Sequence, residues 1–289
     1  MKTISQSKLA QNSTRLASQP VATPIDEKIE TFDALFDGKL KFYQARDGYR
    51  FSLDAVLLAH FVTLRAHEKI VDLGCGNGVV PLILAFLYPS IAVTGIEFQA
   101  PLASRARRNL ELNRLDQRIC IVEGDVRAVK NIAAPESFDV VVCNPPYRRP
   151  TSGRISPNPE KRIARHECEG DLRDFINAGA YLLPEKGRMS LIYSAARAVE
   201  LLNLMSRTGI EPKRVRMVHS FIQSEASLIL VEGIKAGKSG VQIDAPLIIY
   251  HGDQQYSAEV DTMLKGRRIA SVQKFKGSKV QRRLPKSQP

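Results

Sequence analysis

Residues 69–88 have the sequence KIVDLGCGNGVVPLILAFLY, and this stretch decides the fold class of the chain. Lys69–Leu73 is a short apolar run typical of a buried strand, and the apolar run 79–88 predicts a helix. The turn between them contains three glycines, Gly74, Gly76 and Gly78. Glycine adopts dihedrals that other residues avoid and lets a ligand approach the main chain. A strand, a glycine turn and a helix in this order are typical of a ligand-binding turn at the carboxyl edge of an α/β sheet.

The spacing of these glycines differs from that of the dinucleotide-binding fingerprint. That fingerprint is G-x-G-x-x-G, whereas the spacing here is G-x-G-x-G and Gly78 is followed by Val79. The fingerprint therefore fails by one position. A tight turn without a ligand is the remaining alternative, and the combination of strand, glycines and helix disfavours it.

Apolar runs and helical stretches alternate along most of the chain. Further strands are predicted at 91–97, 119–123, 139–143 and 188–193, and further helices at 100–113, 170–183 and 195–208. Near the end, two strand-like runs at 227–235 and 242–250 predict an antiparallel hairpin. The expected fold is a doubly wound, Rossmann-like α/β domain, with a mainly parallel sheet of seven strands closed by a C-terminal hairpin.

The two ends of the chain differ from this central region. Residues 1–25 are rich in Ser, Gln and Thr and lack the periodicity of a helix or strand, so we predict a disordered leader. Residues 26–264 form the predicted folded domain. Residues 265–289 form a basic tail, because no acidic residue follows Asp261. This tail could be an arm that binds nucleic acid, or a solvated extension that has no function.

The charge balance favours a polyanionic partner. The 289 residues include 42 Lys and Arg against 30 Asp and Glu, a net charge of +12. Lys and Arg that meet phosphates release counterions, so the excess favours nucleic acid, although solubility alone would also explain it. The cysteines form no Cys-x-x-Cys pair, and no apolar run reaches the length of a membrane span or a secretory signal. We therefore expect a cytoplasmic monomer without a metal site or membrane contact.

Carboxylates lie at the ends of three successive predicted strands. Asp72 belongs to the first strand, Glu97 ends the second and Asp125 follows the third. A carboxylate at the second position can accept hydrogen bonds from both hydroxyls of a ribose, and one at the third can accept from an adenine amine. Each residue alone could be a solvated loop carboxylate, but the set favours a cofactor site.

The next predicted strand is followed by Asn144, Pro145, Pro146 and Tyr147. The two prolines remove backbone donors, so the segment leaves the sheet and presents acceptors. The Asn144 side chain and the Pro145 carbonyl can hold an amino group, and Tyr147 can stack on a flat base. Such acceptors orient the lone pair of a weakly nucleophilic amino nitrogen for in-line displacement, without a metal or a covalent enzyme intermediate. A plain proline turn is the alternative.

These motifs, in this order, resemble those of the class I methyltransferases that act on amino nitrogens. The resemblance implies S-adenosylmethionine as the donor, bound by Asp72, Gly74, Gly76, Gly78, Glu97, Asp125, Val126 and Asn144. More narrowly, the segment 47–59 (DGYRFSLDAVLLA) and the segment 228–256 resemble the bacterial tRNA(Val) adenine-37 N6-methyltransferases. That pattern would place Asp54 near the methionine end of the donor or near the target base. It implies methyl transfer to N6 of an adenine in RNA, and it covers about residues 30–265.

The segment after Tyr147 is rich in cations that could hold an RNA backbone beside the site, although a solvated loop is the alternative. These cations are Arg148, Arg149, Arg154, Lys161, Arg162 and Arg165. Other functions share parts of the pattern. Protein glutamine methyltransferases acting on release factors use the same four-residue motif, but they carry a helical domain before the core, for which about 65 residues leave little room. A ribosomal RNA adenine N6 or guanine N2 methyltransferase would suit the basic tail. A protein that binds donor and RNA without methylating would not need the acceptors.

Overall fold

The computed structural model describes residues 29–48, 50–147, 170–252 and 255–269. The predicted leader, the cationic segment 148–165 and the tail beyond residue 269 lie outside these ranges. In the described ranges, no helix is long and apolar enough to cross a membrane.

Five adjacent parallel strands form one side of the sheet. They are β3 (Lys69–Leu73), β4 (Ala92–Glu97), β5 (Ile119–Glu123), β6 (Val140–Cys143) and β7 (Arg188–Ser194). They lie in the order β5-β4-β3-β6-β7, so the chain reverses its direction of winding beside β3. A parallel sheet covered on both faces needs apolar residues on both sides of each strand, which explains the nearly continuous apolar runs of the sequence.

Helices cover both faces of this sheet. They are α1 (Leu53–Phe61), α2 (Val79–Leu87), α3 (Ala100–Leu112), α4 (Leu172–Leu182), α5 (Ala198–Arg207) and α6 (Ala258–Leu264), with short 3₁₀ turns at Val126–Asn131 and Ala195–Arg197. Successive side chains of a strand point to opposite faces. Accordingly, Ile70 packs in a core with α1, α2 and α3, whereas Val71 and Leu73 pack in a second core with α4 and α5.

The C-terminal antiparallel hairpin is confirmed, but the prediction of its second strand was wrong. The hairpin consists of β8 (Ile210–His219) and β9 (Ala226–Lys235), with β9 inserted between β7 and β8. Because both edges of β9 are occupied, the predicted strand 242–250 can reach only the outer edge of β8. There it forms the short β10 (Gln242–Ile243) and β11 (Leu247–Ile248), both parallel to β8. In the described residues the sheet thus has seven longer strands, which is the predicted number, and two short additions, but β8 takes the place of the predicted strand 242–250.

A second hairpin precedes the sheet and was absent from the prediction. Strands β1 (Glu30–Leu35) and β2 (Leu40–Ala45) pair with each other and pack on α3. Glu30 is buried between Arg105 and Arg108 of α3, at 3.1 and 2.8 Å. A last small hairpin, β12 (Tyr250–His251) with β13 (Gln255–Tyr256), leads into α6.

Candidate active site

The three glycines of the turn after β3 all have positive φ. The values are 71° for Gly74, 56° for Gly76 and 82° for Gly78, which lies at the N-cap of α2. A Cβ on Gly78 would lie 3.2 Å from that of Ala106, so glycine also allows α3 to pack against the turn. These left-handed dihedrals favour glycine, as the sequence pattern predicted.

The carboxylate of Glu97, at the end of β4, holds this turn. One oxygen accepts a hydrogen bond from the Gly76 N–H and the other from the Gln99 N–H, each at 2.8 Å. The side chain is buried. Glu97 therefore lies at the predicted place beside the glycine turn, with both oxygens directed at backbone donors.

Asp72 is buried inside β3 and only 2% exposed, rather than lying at the surface of the turn. Burial raises the pKa of its carboxyl well above the ordinary range, and the nearby charge of Glu97 raises it further. Burial and the neighbouring Glu97 thus both disfavour a negative charge on Asp72.

Asp125 begins the 3₁₀ turn after β5 and is already engaged in an ion pair. Its carboxylate accepts hydrogen bonds from the Arg127 backbone N–H at 2.8 Å and from the Arg127 guanidinium at 2.7 Å. The hydrogen bond with the Arg127 side chain is the main reason that the pKa of Asp125 is lowered. Arg127 also lies over the exposed ring of Phe98, and the following residue, Val126, is buried.

The structure brings Asp54 to the motif that follows β6. Tyr147 lies with its hydroxyl 3.1 Å from a carboxylate oxygen of Asp54 and in hydrogen-bond contact with the Asn144 side-chain oxygen. A phenol has one proton, so it donates to one of these acceptors at a time. The result is a cluster of acceptors at the end of β6, and Asp54 lies within it although it is 93 residues from Tyr147 in the sequence.

Two residues that the sequence prediction missed support this cluster. The ring of Tyr193, near the end of β7, meets Tyr147 edge to face with centroids 5.5 Å apart. Arg197 lies over Tyr193 and donates a hydrogen bond of 3.3 Å to the Tyr147 carbonyl. Their position at the carboxyl end of the strand beside β6 is the signal that could have identified them.

The N-terminal hairpin is tied to the glycine turn through Asn109, a buried residue of α3. The Asn109 amide donates to the carbonyls of Asn77 and Tyr43 and accepts from the Tyr43 N–H, at 2.9, 3.2 and 2.7 Å. A buried amide with these partners fixes the distance between hairpin, helix and turn. In the part of the chain that the structure describes, no cluster of His, Cys, Asp or Glu could hold a metal ion.

Comparison with known proteins shows which family shares this architecture. The sequence profile described as "Methyltransferase small domain" matches residues 53–205, more than half of the chain. Curated relatives named tRNA1(Val) (adenine(37)-N6)-methyltransferase include one from Porphyromonas gingivalis, 30% identical over 57% of this chain and 65% of its own length. Relatives with the same name from Tolumonas auensis and Vibrio campbellii are each 24% identical. They cover 75% and 80% of this chain and 88% and 93% of their own lengths.

Among solved structures, a protein from Agrobacterium tumefaciens described as a predicted O-methyltransferase superimposes with a TM-score of 0.62. It is 26% identical, and the match covers 75% of this chain and 98% of that one. The predicted class I methyltransferase fold is thereby confirmed. The chain belongs to the methyltransferase small domain family, and it is a class I methyltransferase.

Proposed function

We propose that this protein transfers a methyl group from S-adenosylmethionine to N6 of an adenine in RNA, with a tRNA as the substrate. One observation carries the proposal. Leu73 of β3 pairs with Cys143 of β6, so the glycine turn and the Asn144 cluster begin side by side at the same edge of the sheet. A donor site and an acceptor site in this arrangement place their ligands next to each other.

The glycine turn and Glu97 fit the proposed donor. Three left-handed glycines form a tight turn at the end of β3, and the buried carboxylate of Glu97 beside it would accept hydrogen bonds from ribose hydroxyls with the remaining lone pairs of its oxygens. Asp125, whose ion-pair partner Arg127 lies over the exposed ring of Phe98, would accept from the adenine amine. When bound, S-adenosylmethionine supplies an electrophilic methyl group.

The acceptor cluster fits an exocyclic amine. The Asn144 oxygen and the Pro145 carbonyl would accept the two N–H bonds of the amine and direct its lone pair out of the plane of the base. The Tyr147 hydroxyl can donate its hydrogen bond to Asp54, which leaves the Asn144 oxygen available for the substrate. Because the chain only orients the amine, no side chain has to act as a general base, and the released proton can pass to water.

The choice of RNA adenine rests on the relatives and on charge. The curated relatives are named for adenine N6 in a tRNA, and the chain carries a net charge of +12. The cationic segment 148–165 and the basic tail would contact the RNA backbone. A ribosomal RNA base, a glutamine of a release factor and binding without transfer are the competing outcomes.

The test is methyl transfer from labelled donor to total tRNA, ribosomal RNA and release factors in parallel, followed by nucleoside analysis. We expect N6-methyladenosine in tRNA. Asn144→Ala should lower kcat by about 100-fold or more while donor affinity changes less than about threefold. Gln117→Ala, an exposed amide at the other end of the domain, is the matched control. Label in protein or in ribosomal RNA alone would refute the tRNA assignment, and equal loss of transfer and donor binding would refute the role of Asn144.

A further inference from the structure

Three aromatic side chains outside the catalytic cluster form a continuous ladder. Phe221 packs against Tyr250 with ring centroids 5.6 Å apart and an interplanar angle of 36°, and Tyr250 stacks on Tyr256 at 5.2 Å and 22°. Tyr250 packs against the core that contains α1, α2 and α3, whereas Phe221 and Tyr256 are 39% and 44% exposed. The ladder is thus anchored at its centre and exposed at both ends.

The ladder lies at the same edge of the sheet as the acceptor cluster. Phe221 belongs to the loop between β8 and β9, and Leu228 of β9 pairs with Ser194, the last residue of β7. β7 in turn is the neighbour of β6, which ends at the cluster. The Tyr250 N–H donates to the Ser220 carbonyl at 2.9 Å, so the ring in β12 and the loop are held together.

The surroundings of the rings favour a nucleobase over an apolar partner. The neighbouring exposed residues are mostly polar, among them Gln223, His251 and Gln255, and two of the three rings carry hydroxyl groups. Apart from the rings, Ile222 is the exposed large apolar side chain of this loop, at 71%. A mixture of flat rings and polar groups suits bases, which have π faces and polar edges.

We propose that Phe221, Tyr250 and Tyr256 form a stacking platform for an unpaired base near the methylated adenine in the same RNA, because the loop after β8 lies three strands from β6, at about 14 Å. The inference rests on the proposed function and names a second contact of the same RNA. An enzyme that modifies an exocyclic amine must separate the target base from its neighbours, which lose stacking. The ladder replaces that lost stacking at the edge where the target base is held.

Replacement of Phe221 tests the platform without disturbing the buried centre of the ladder. Phe221→Leu keeps an apolar side chain but removes the ring, and Phe221→Tyr keeps the ring. The probe is a synthetic tRNA anticodon stem–loop with 2-aminopurine beside the target adenine, whose fluorescence falls when it stacks. Val199→Ala, at an 83% exposed position of α5, is the control.

We expect Phe221→Leu to raise Kd and KM for the RNA roughly 5- to 150-fold, the range for loss of one stacked base, with kcat and donor affinity within twofold. Phe221→Leu should also abolish the fluorescence quenching. In Phe221→Tyr, the Kd, the KM and the quenching should all match those of the unaltered protein. Equal behaviour of the Leu and Tyr variants, or unchanged quenching in both, would overturn the platform. The titration requires no methyl transfer. Absence of transfer to any RNA by the unaltered protein would instead overturn the proposed function.

Discussion

Replacement of Gly95 by alanine should create a steric clash between β4 and the glycine turn. Gly95 lies in β4, and a Cβ there would lie 2.6 Å from the Cys75 sulfur and 2.8 Å from the end of the Ile121 side chain. Ile121 can rotate its terminal methyl, but the Cys75 side chain is short and buried, so its sulfur has little room to move. Overpacking of this kind costs about 1–3 kcal/mol in the free energy of unfolding. Each kcal/mol should lower Tm by about 2–4 °C, and donor affinity should fall because the displaced residue belongs to the turn.

The companion variant Cys75→Ala removes the atom that the new methyl group meets. By itself it should cost about 1 kcal/mol, because it leaves a small cavity. In the double variant the methyl group fills that cavity, so the combined loss should be smaller than the sum by about 1–2 kcal/mol. Urea unfolding measures the stabilities, and calorimetric titration with donor measures the affinity. Cys120→Ala, at an exposed cysteine, is the control and should be additive with Gly95→Ala. Additive losses for Cys75→Ala as well would refute the steric argument.

Three further predictions concern charge. In Glu97→Gln the side-chain amide must direct its NH₂ group at one of the two backbone N–H groups that the carboxylate now accepts from. The affinity for the donor, measured by calorimetry, should therefore fall at least about tenfold. Glu123→Gln, on the next strand, should change this affinity little. Burial lowers the pKa of His60 from 6.5 to about 4, although its hydrogen bond with the Met263 carbonyl opposes this. The unfolded chain therefore binds the proton more readily. The free energy of unfolding should fall by up to about 3 kcal/mol as pH drops from about 6.5 to about 4. In urea unfolding, His60→Gln should reduce this dependence on pH. An unchanged pH dependence in that variant would contradict the role of His60. Truncation after residue 269 removes basic residues, so the affinity for RNA should depend less steeply on salt concentration. An equal salt dependence in the truncated protein would show that the tail does not contact the RNA.

The local pattern of the sequence was sufficient for the parallel part of the fold. Strand, turn and helix in residues 69–88 succeed one another within a few residues, so their periodicity and glycines predict them directly. The same holds for the positions of Glu97 and Asn144, since parallel strands bring their carboxyl ends to one edge. Strand β8 escaped prediction because Glu211, Pro212 and the alternating cations interrupt its apolar pattern.

Only the tertiary structure decided which distant segments meet. The contact of Asp54 with Tyr147 depends on how α1 packs across the sheet, and no periodicity in either segment encodes it. The partner of β9 depended on which strand edges remained open, a property of the whole sheet. The ladder of Phe221, Tyr250 and Tyr256 likewise joins a loop to a short hairpin, where the Tyr250 N–H also donates a hydrogen bond to the Ser220 carbonyl. Sequence periodicity reports which face of an element is buried, whereas the identity of the neighbour is decided by long-range packing and the pairing of buried polar groups.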